Sequence, residues 1–187
     1  MASLPAQRQT EVPAGSSLGP KLRRGGPPLL LLLLALALFA PSVVGGKVLS
    51  SSDHRFSFPP FPPPQGQERP SNYQMSDQVW VFQPDQLEVR EALRSGRLPT
   101  WTSKLSAGRP LLAAQQSAPL FPLNWIGDVL PYWESLAWMA ALKLALAGFG
   151  VYLLCRKLGL GLSAALLGAV TYELATGLDP IPALTPT

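Results

Sequence analysis

Residues 136–155 read LAWMAALKLALAGFGVYLLC, a run of twenty residues in which Lys143 carries the only charge. An apolar run of this length is what an α-helix needs to cross the hydrocarbon core of a bilayer. A second apolar run, residues 158–174, follows the basic pair Arg156 and Lys157. Because the connection is so short, the two runs predict a hairpin of membrane helices.

Small residues recur every four positions in both runs: Ala141 and Ala145 in the first, and Gly161, Ala165 and Ala169 in the second. In lipid, close packing rather than the hydrophobic effect drives helix association, and small side chains let two backbones approach. The stripes therefore predict that both helices pack closely against neighbouring helices.

A third apolar segment, residues 27–44, contains eighteen residues and no charge. As a helix it would reach ~27 Å, close to the ~30 Å of a bilayer core. Residues 29–40 alone, a leucine-rich run behind a basic flank, also suit a signal peptide with small residues for cleavage at 44–46. Both readings place the following segment outside the cytoplasm.

The basic residues near the apolar runs predict a multi-pass protein of the cell membrane with a cytoplasmic N-terminus, because positive charge is retained inside. These residues are Lys21, Arg23, Arg24, Arg156 and Lys157. The predicted fold class is an all-α membrane protein with three transmembrane helices, a long extracytoplasmic loop holding short amphipathic helices, and a disordered N-terminus. The predicted segments are a tail (1–26), a span or signal anchor (27–44), a Pro-rich linker (45–70), the loop (71–135), two spans (136–155 and 158–174) and a tail (175–187).

Composition excludes several classes of function. The net charge is only +4 and no basic stripe with interleaved aromatic residues occurs, which gives nucleic-acid binding little support. The single cysteine, Cys155, rules out an internal disulfide and a cysteine-based metal cluster. The one histidine, His54, falls in the predicted linker and is interpreted as incidental.

The loop is predicted to contain one short amphipathic helix. Pro84 and Asp85 suit its first turn, and Gly96 suits its C-terminal stop. Between them, the i, i+3, i+4 apolar stripe consists of Val89, Ala92 and Leu93, and the helix is expected to lie on the membrane face of the protein.

Four charged residues are candidates for chemistry. Asp77 at a membrane surface suits a general base toward a hydroxyl, or a ligand of a divalent cation, but its position equally suits a solvated acid. Asp85 is interpreted as a solvated acid or helix cap. Lys143 inside a span suits contact with a lipid phosphate, or snorkelling to the headgroups. Glu173 suits pairing with Lys143 or contact with the interface.

The loop and the helices after it also resemble a known family. The residues that carry the resemblance are Ser76-Asp77-Gln78, EALRSGRLPTW (91–101), AGRPLLAAQQSAPLFPLN (107–124), KLALAG (143–148), YLLCRKLG (152–159) and residues 164–172. They are similar to the first external loop and following spans of the bacterial YfhO-like membrane proteins, which are related to GT-C glycosyltransferases. The similarity covers about residues 75–176.

The resemblance implies a polytopic enzyme that uses a polyprenyl-phosphate-linked sugar as donor outside the cytoplasm. Asp77 then matches the catalytic base, Lys143 is expected near the lipid phosphate, and Gln116 and Asn124 are expected to contact the sugar. Other motif positions are expected to shape the loop: Gly96, Pro99, Trp101, Gly108, Pro110 and Pro122. The implied partners are membrane lipids, the donor, and further transmembrane segments or a partner membrane protein.

Three helices are too few to enclose a lipid-linked sugar, so the expectation is the N-terminal portion of a longer enzyme, inactive alone. The alternative is a non-catalytic membrane protein whose loop and hairpin dock onto a partner. A third reading is a protein with a cleaved signal peptide, tethered only by its C-terminal hairpin.

Overall fold

The computed structural model describes residues 20–57, 60, 62, 75–177 and 184–186, which are mostly helical. The α-helices are α1 (Pro20–Leu38), α2 (Ala40–Val43), α3 (Gln83–Arg94), α4 (Leu111–Ala114), α5 (Pro122–Asp128), α6 (Tyr132–Lys157) and α7 (Leu162–Gly177). A 3₁₀-helix spans Ser52–Ser57 and a π-helix spans Gln78–Phe82. The short strands are β1 (Lys47–Leu49), β2 (Trp101–Thr102), β3 (Arg109–Pro110) and β4 (Leu184–Pro186). The predicted helical class is confirmed.

Helix α6 contains the apolar run 136–155 and extends beyond it at both ends. Its 26 residues would measure about 39 Å. Among the residues that the structure describes, α6 is the one helix long and apolar enough to cross a membrane. The apolar parts of its neighbours, Gly25–Leu38 and Leu162–Ala175, are shorter.

Helices α1, α6 and α7 pack against one another. Helices α6 and α7 run antiparallel, because Gly148 approaches Glu173 while Cys155, further along α6, approaches Gly168. Four of the five small residues in the predicted stripes are buried: Ala141, Ala145, Ala165 and Ala169. Ala165 and Ala169 of α7 cluster with Tyr152 of α6, whereas Ala141 and Ala145 of α6 cluster with Ala35 of α1. Gly161 is exposed and precedes α7, so it does not contribute.

The first and third apolar runs differ from their predicted bounds. Helix α1 starts at Pro20, inside the tail predicted to be disordered, and ends at Leu38, so the helix predicted over 27–44 is split. The break falls at Phe39, two residues before Pro41, which has no N–H to donate to a carbonyl of α1. Helix α7 begins at Leu162 rather than at the predicted residue 158, because the chain first turns through Gly159, whose φ is +86°.

The linker predicted over residues 45–70 is folded in its first part. Strand β1 pairs antiparallel with β4, aligning Lys47 with Pro186. His54 in the following 3₁₀-helix is buried, so it does not belong to an extended spacer. Two side-chain hydrogen bonds hold this part of the chain against the residues around α3. Gln83 Nε2 donates to Ser50 Oγ at 2.8 Å, and Ser51 Oγ donates to the Met75 carbonyl at 2.8 Å. The rest of the predicted linker, apart from residues 60 and 62, lies outside the described residues.

The predicted loop helix is present as α3. Pro84 lies in its first turn, and Gly96 after its end has φ +70°. Of the predicted stripe, Val89 and Ala92 are buried.

Strands β2 and β3 form a small flap after this helix. Trp101 pairs with Pro110, and Gly108, at φ +107°, lies under the indole, where a Cβ atom would be 2.9 Å from a Trp101 ring carbon. Several motif residues therefore shape the loop. The flap also supplies Arg109, which forms an ion pair with Asp85. Asp85 is only 1% exposed, so its interpretation as a solvated acid is wrong.

Candidate functional site

A cavity of about 250 Å³ lies where α3, α5 and the first half of α6 meet. Its charged lining residues are Arg90 from α3, Asp128 from α5 and Lys143 from α6. The lining thus contains two cations and one carboxylate. Arg90 and Asp128 interact with each other, which leaves Lys143 as the cation beside them.

Lys143 is held by a short chain of hydrogen bonds. Its Nζ donates to Asn124 Oδ1 at 2.9 Å, and Asn124 Nδ2 in turn donates to the carbonyls of Ala118 at 3.0 Å and Ser117 at 3.3 Å. The ammonium also lies 5.5 Å from the centre of the Phe121 ring, within cation–π range. Both partners are uncharged, so neither supplies a counter-charge to the ammonium.

Helix α5 is fixed in place by its own sequence. Pro122 lies in its first turn, where the missing N–H has no helical acceptor. Trp125 Nε1 donates to the Pro119 carbonyl at 2.9 Å, which ties the helix to the loop before it. Gly127 meets Met139 of α6, where a Cβ atom would lie 2.6 Å from Cγ. The small residue lets α5 approach α6 closely enough for Asn124 to reach Lys143.

Arg90 connects α3 to the junction between α5 and α6. Its guanidinium donates to Ser135 Oγ at 3.1 Å, to the Asp128 carbonyl at 3.2 Å and to the Leu130 carbonyl. It also lies 5.3 Å from the centre of the Tyr132 ring. At 5% exposure, this residue fastens one wall of the cavity.

Burial dominates the electrostatics of the Arg90–Asp128 pair, whose Nε and Oδ1 atoms are 3.7 Å apart. Loss of hydration lowers the pKa of Arg90, although Asp128 opposes this. The same cause raises the pKa of Asp128 against the attraction of Arg90 and Arg94. The hydrogen bonds of the guanidinium to carbonyls, rather than the ion pair alone, therefore hold the arrangement together.

One buried hydroxyl on the cavity wall has no hydrogen-bond partner within the described part of the chain. Ser117 is 3% exposed, and its Oγ is unpaired although its carbonyl accepts from Asn124. A buried polar atom without a partner costs about 1–3 kcal/mol, so such an atom facing a cavity is suited to contact a ligand or water.

The structure brings together two of the four residues predicted to form a site. Lys143 and Asn124 share a hydrogen bond and line the cavity. Asp77 is exposed at the start of the π-helix and does not line the cavity, although the next residue, Gln78, does. Gln116 is also exposed and is not part of the lining. The roles assigned to all four stay predictions.

Sequence reasoning missed Arg90, Ser117 and Asp128. Arg90 follows Val89 in α3 and is buried, although a charged residue on an amphipathic helix is expected to face solvent. The only available signal was its place beside the apolar stripe. Asp128 and Ser117 lie in segments without periodicity, and no pattern singles them out.

A cavity with an unneutralised ammonium, an amide and a hydroxyl is suited to bind an anion such as a phosphate group. Within the described residues, no group of three or more His, Cys, Asp or Glu side chains could hold a metal ion. Comparison of the chain with family models, with curated proteins and with solved structures finds no match.

Proposed function

We propose that this chain forms the donor-binding, N-terminal portion of a membrane glycosyltransferase that uses a polyprenyl-phosphate-linked sugar. The cavity binds the phosphate of the donor, and Lys143 neutralises its charge. Asp77, which precedes the lining residue Gln78 in the sequence, acts as general base toward the hydroxyl of the acceptor. The motif resemblance and the chemistry of the cavity lining support this proposal.

The proposal includes three membrane helices, α1, α6 and α7. The two shorter helices pack against α6, whose buried residues are small apart from Tyr152. Arg156 and Lys157 then lie at the cytoplasmic boundary. Lys143 lies about 20 Å from Arg156 along the helix, so it comes within reach of the outer headgroups of a ~30 Å core.

The hydrogen bond from Lys143 to Asn124 carries the proposal. A lysine that merely snorkels to the headgroups would not need an amide acceptor that is itself fixed by two carbonyls. Here the ammonium is positioned at a cavity before any ligand arrives, and such positioning lowers the entropic cost of binding.

Replacing Lys143 by Met is expected to weaken binding of polyprenyl phosphate by about tenfold to a hundredfold, the effect of a charge-assisted hydrogen bond of about 1.5–3 kcal/mol. The measurement titrates polyprenyl phosphate against the full chain in lipid nanodiscs. Lys104→Met is the matched control. Lys104 lies in the flap, pairs with Glu88 and Glu91 of α3, and does not line the cavity. Equal binding by wild type and Lys143→Met would contradict the proposal.

Replacing Asp77 by Asn is expected to slow sugar transfer by about 10²–10⁴-fold and to leave polyprenyl-phosphate binding unchanged, since a general base acts only on the reaction. Transfer of labelled sugar from the lipid-linked donor is followed in native membranes that contain the protein. Glu134→Gln, an exposed acid in the first turn of α6, is the control. Full transfer by Asp77→Asn would remove Asp77 from the mechanism.

A second candidate function is favoured by the apolar surface next to the cavity. Leu120, Trp125, Ile126 and Val129 are all at least half exposed around α5. Such a cluster suits docking onto another membrane protein, with no catalysis by this chain. This reading predicts no measurable affinity for polyprenyl phosphate and no effect of Asp77→Asn, so the two preceding experiments distinguish the two functions.

A further inference from the structure

Glu173 is the most deeply buried acid of the helix bundle. It lies in α7 with 0% exposure, and its side chain fills the space left by Gly148 of α6. A Cβ atom at Gly148 would lie 2.7 Å from Glu173 Cγ and 2.8 Å from Cδ. The glycine and the glutamate thus form one fitted contact between the two helices.

Neither carboxyl oxygen of Glu173 has a hydrogen-bond partner in the described part of the chain. The face of α6 that carries Gly148 also carries Ala145 and Tyr152, and the residues before Glu173 on its own face are alanines. The titratable groups of that α6 face are Tyr152 and, further along toward Gly168, Cys155. Lys143 donates instead to Asn124, and the described α1 segment Gly25–Leu38 contains no titratable side chain.

An ionised carboxylate in this position would lack both a counter-charge and a donor. Burying such a charge costs several kcal/mol, in a protein interior as in a bilayer. A protonated carboxyl carries no charge, and its O–H can donate to the carbonyl one turn earlier in its own helix. A metal ion is a poor alternative, because the described residues contain no cluster of three or more His, Cys, Asp or Glu side chains.

We propose that Glu173 is a proton-binding site within the contact between α6 and α7, and that loss of its proton drives the two helices apart. The bound ligand is the proton itself. The inference does not rest on the proposed glycosyltransferase function, since it concerns a contact of the bundle that the cavity residues do not share.

The native cysteine offers a reporter of this contact. A Cβ atom added at Gly168 of α7 would lie 3.4 Å from Cys155 Sγ of α6, close to the spacing of a disulfide. Because Cys155 is the only cysteine of the chain, Gly168→Cys creates a single possible intramolecular cross-link. Its rate of formation reports how often the two helices are in contact.

The experiment compares Gly168→Cys with Gly168→Cys/Glu173→Gln in bilayers between pH 5.5 and pH 9. Glutamine has the size of a protonated glutamate and does not titrate. The cross-linking rate of Gly168→Cys is divided by that of Gly168→Cys/Glu173→Gln. This ratio cancels the ionisation of the thiols and of every group that the two variants share. The ratio is expected to be near one at pH 5.5 and to fall by about fivefold at pH 9, the effect of about 1 kcal/mol. A ratio that stays constant over this range would overturn the proposal.

An infrared measurement covers the case in which the cysteine variants do not cross-link at all. The wild-type chain in bilayers is expected to show a carbonyl band of a protonated carboxyl at pH 5.5 that Glu173→Gln lacks. This band is expected to disappear as the pH rises to 9. Identical spectra of wild type and Glu173→Gln at pH 5.5 would overturn the proposal independently of the cross-linking.

Discussion

Gly148→Ala is expected to separate α6 from α7 and to destabilise the bundle by about 1–3 kcal/mol, the usual cost of overpacking a close contact. The added methyl group would overlap the carboxyl group and Cγ of Glu173. Glu173 is fully buried, so we expect relief of this overlap to require the two helices to shift. Thermal unfolding in a bilayer mimic, followed by helical circular dichroism, measures the loss.

Gly150→Ala is the matched control in the same helix. A Cβ atom at Gly150 would meet nothing within 4 Å, so this variant tests only the greater helix propensity of alanine. It is expected to be neutral or stabilising by up to about 1 kcal/mol. Equal destabilisation by the two substitutions would show that Gly148 has no special role.

A double variant identifies the colliding partner. Glu173→Ala removes the atoms that the new methyl group would meet, so adding Gly148→Ala to it is expected to cost much less than in the wild type. If the two effects simply add, the loss caused by Gly148→Ala arises elsewhere, and the fitted contact between Gly148 and Glu173 does not limit the packing of α6 and α7.

Helix positions were predictable because they depend on local composition. The run 136–155 lies within α6, and the alanines of the predicted stripes are buried, since both signals repeat with the period of a helix. The partner of each stripe was not predictable, because Ala141 and Ala145 of α6 pack beside α1 rather than α7. The limits of α1 were less predictable. A leucine-rich run favours a continuous helix, whereas a single proline, Pro41, and the residues around it end that helix at Leu38.

Long-range pairing was not predictable in the same way. Asp85 looks like an ordinary N-terminal helix acid, and only the fold places Arg109 of the flap against it. The sequence suggests that His54 is incidental in a proline-rich stretch, but it is buried next to serines that hydrogen-bond to Met75 and to Gln83 of α3. Nothing in the local pattern encodes partners that lie twenty or more residues away.

The candidate site was only partly predictable for the same reason. Lys143 stood out because an ionisable residue in an apolar run is costly, and Asn124 stood out through the motif resemblance. Their hydrogen bond required α5 to lie against α6, a packing that depends on Gly127 meeting Met139. The unpaired hydroxyl of Ser117 becomes visible only once the cavity has formed.

Arg90→Ala is expected to destabilise the protein more than Gly148→Ala does. We expect a loss of about 3–5 kcal/mol, the range for breaking a buried charged network. The substitution leaves the Leu130 carbonyl without this donor and Asp128 without its nearest counter-charge. Arg94→Ala is the control, because Arg94 is exposed and makes one long hydrogen bond of 3.5 Å to the Asp128 carbonyl. It is expected to change stability by no more than about 0.5 kcal/mol.

The cost of Arg90→Ala is also expected to depend on pH, through Asp128. Burial already raises the pKa of Asp128, and the attraction of Arg90 counteracts this rise. Without Arg90 the pKa rises further, so the variant gains stability when Asp128 is protonated and loses it as the pH increases through the raised pKa. The difference in unfolding free energy between wild type and variant should therefore be smaller at about pH 4 than at pH 7. A difference that is the same at both values would mean that Arg90 stabilises the loop through its carbonyl contacts alone, with no contribution from its charge.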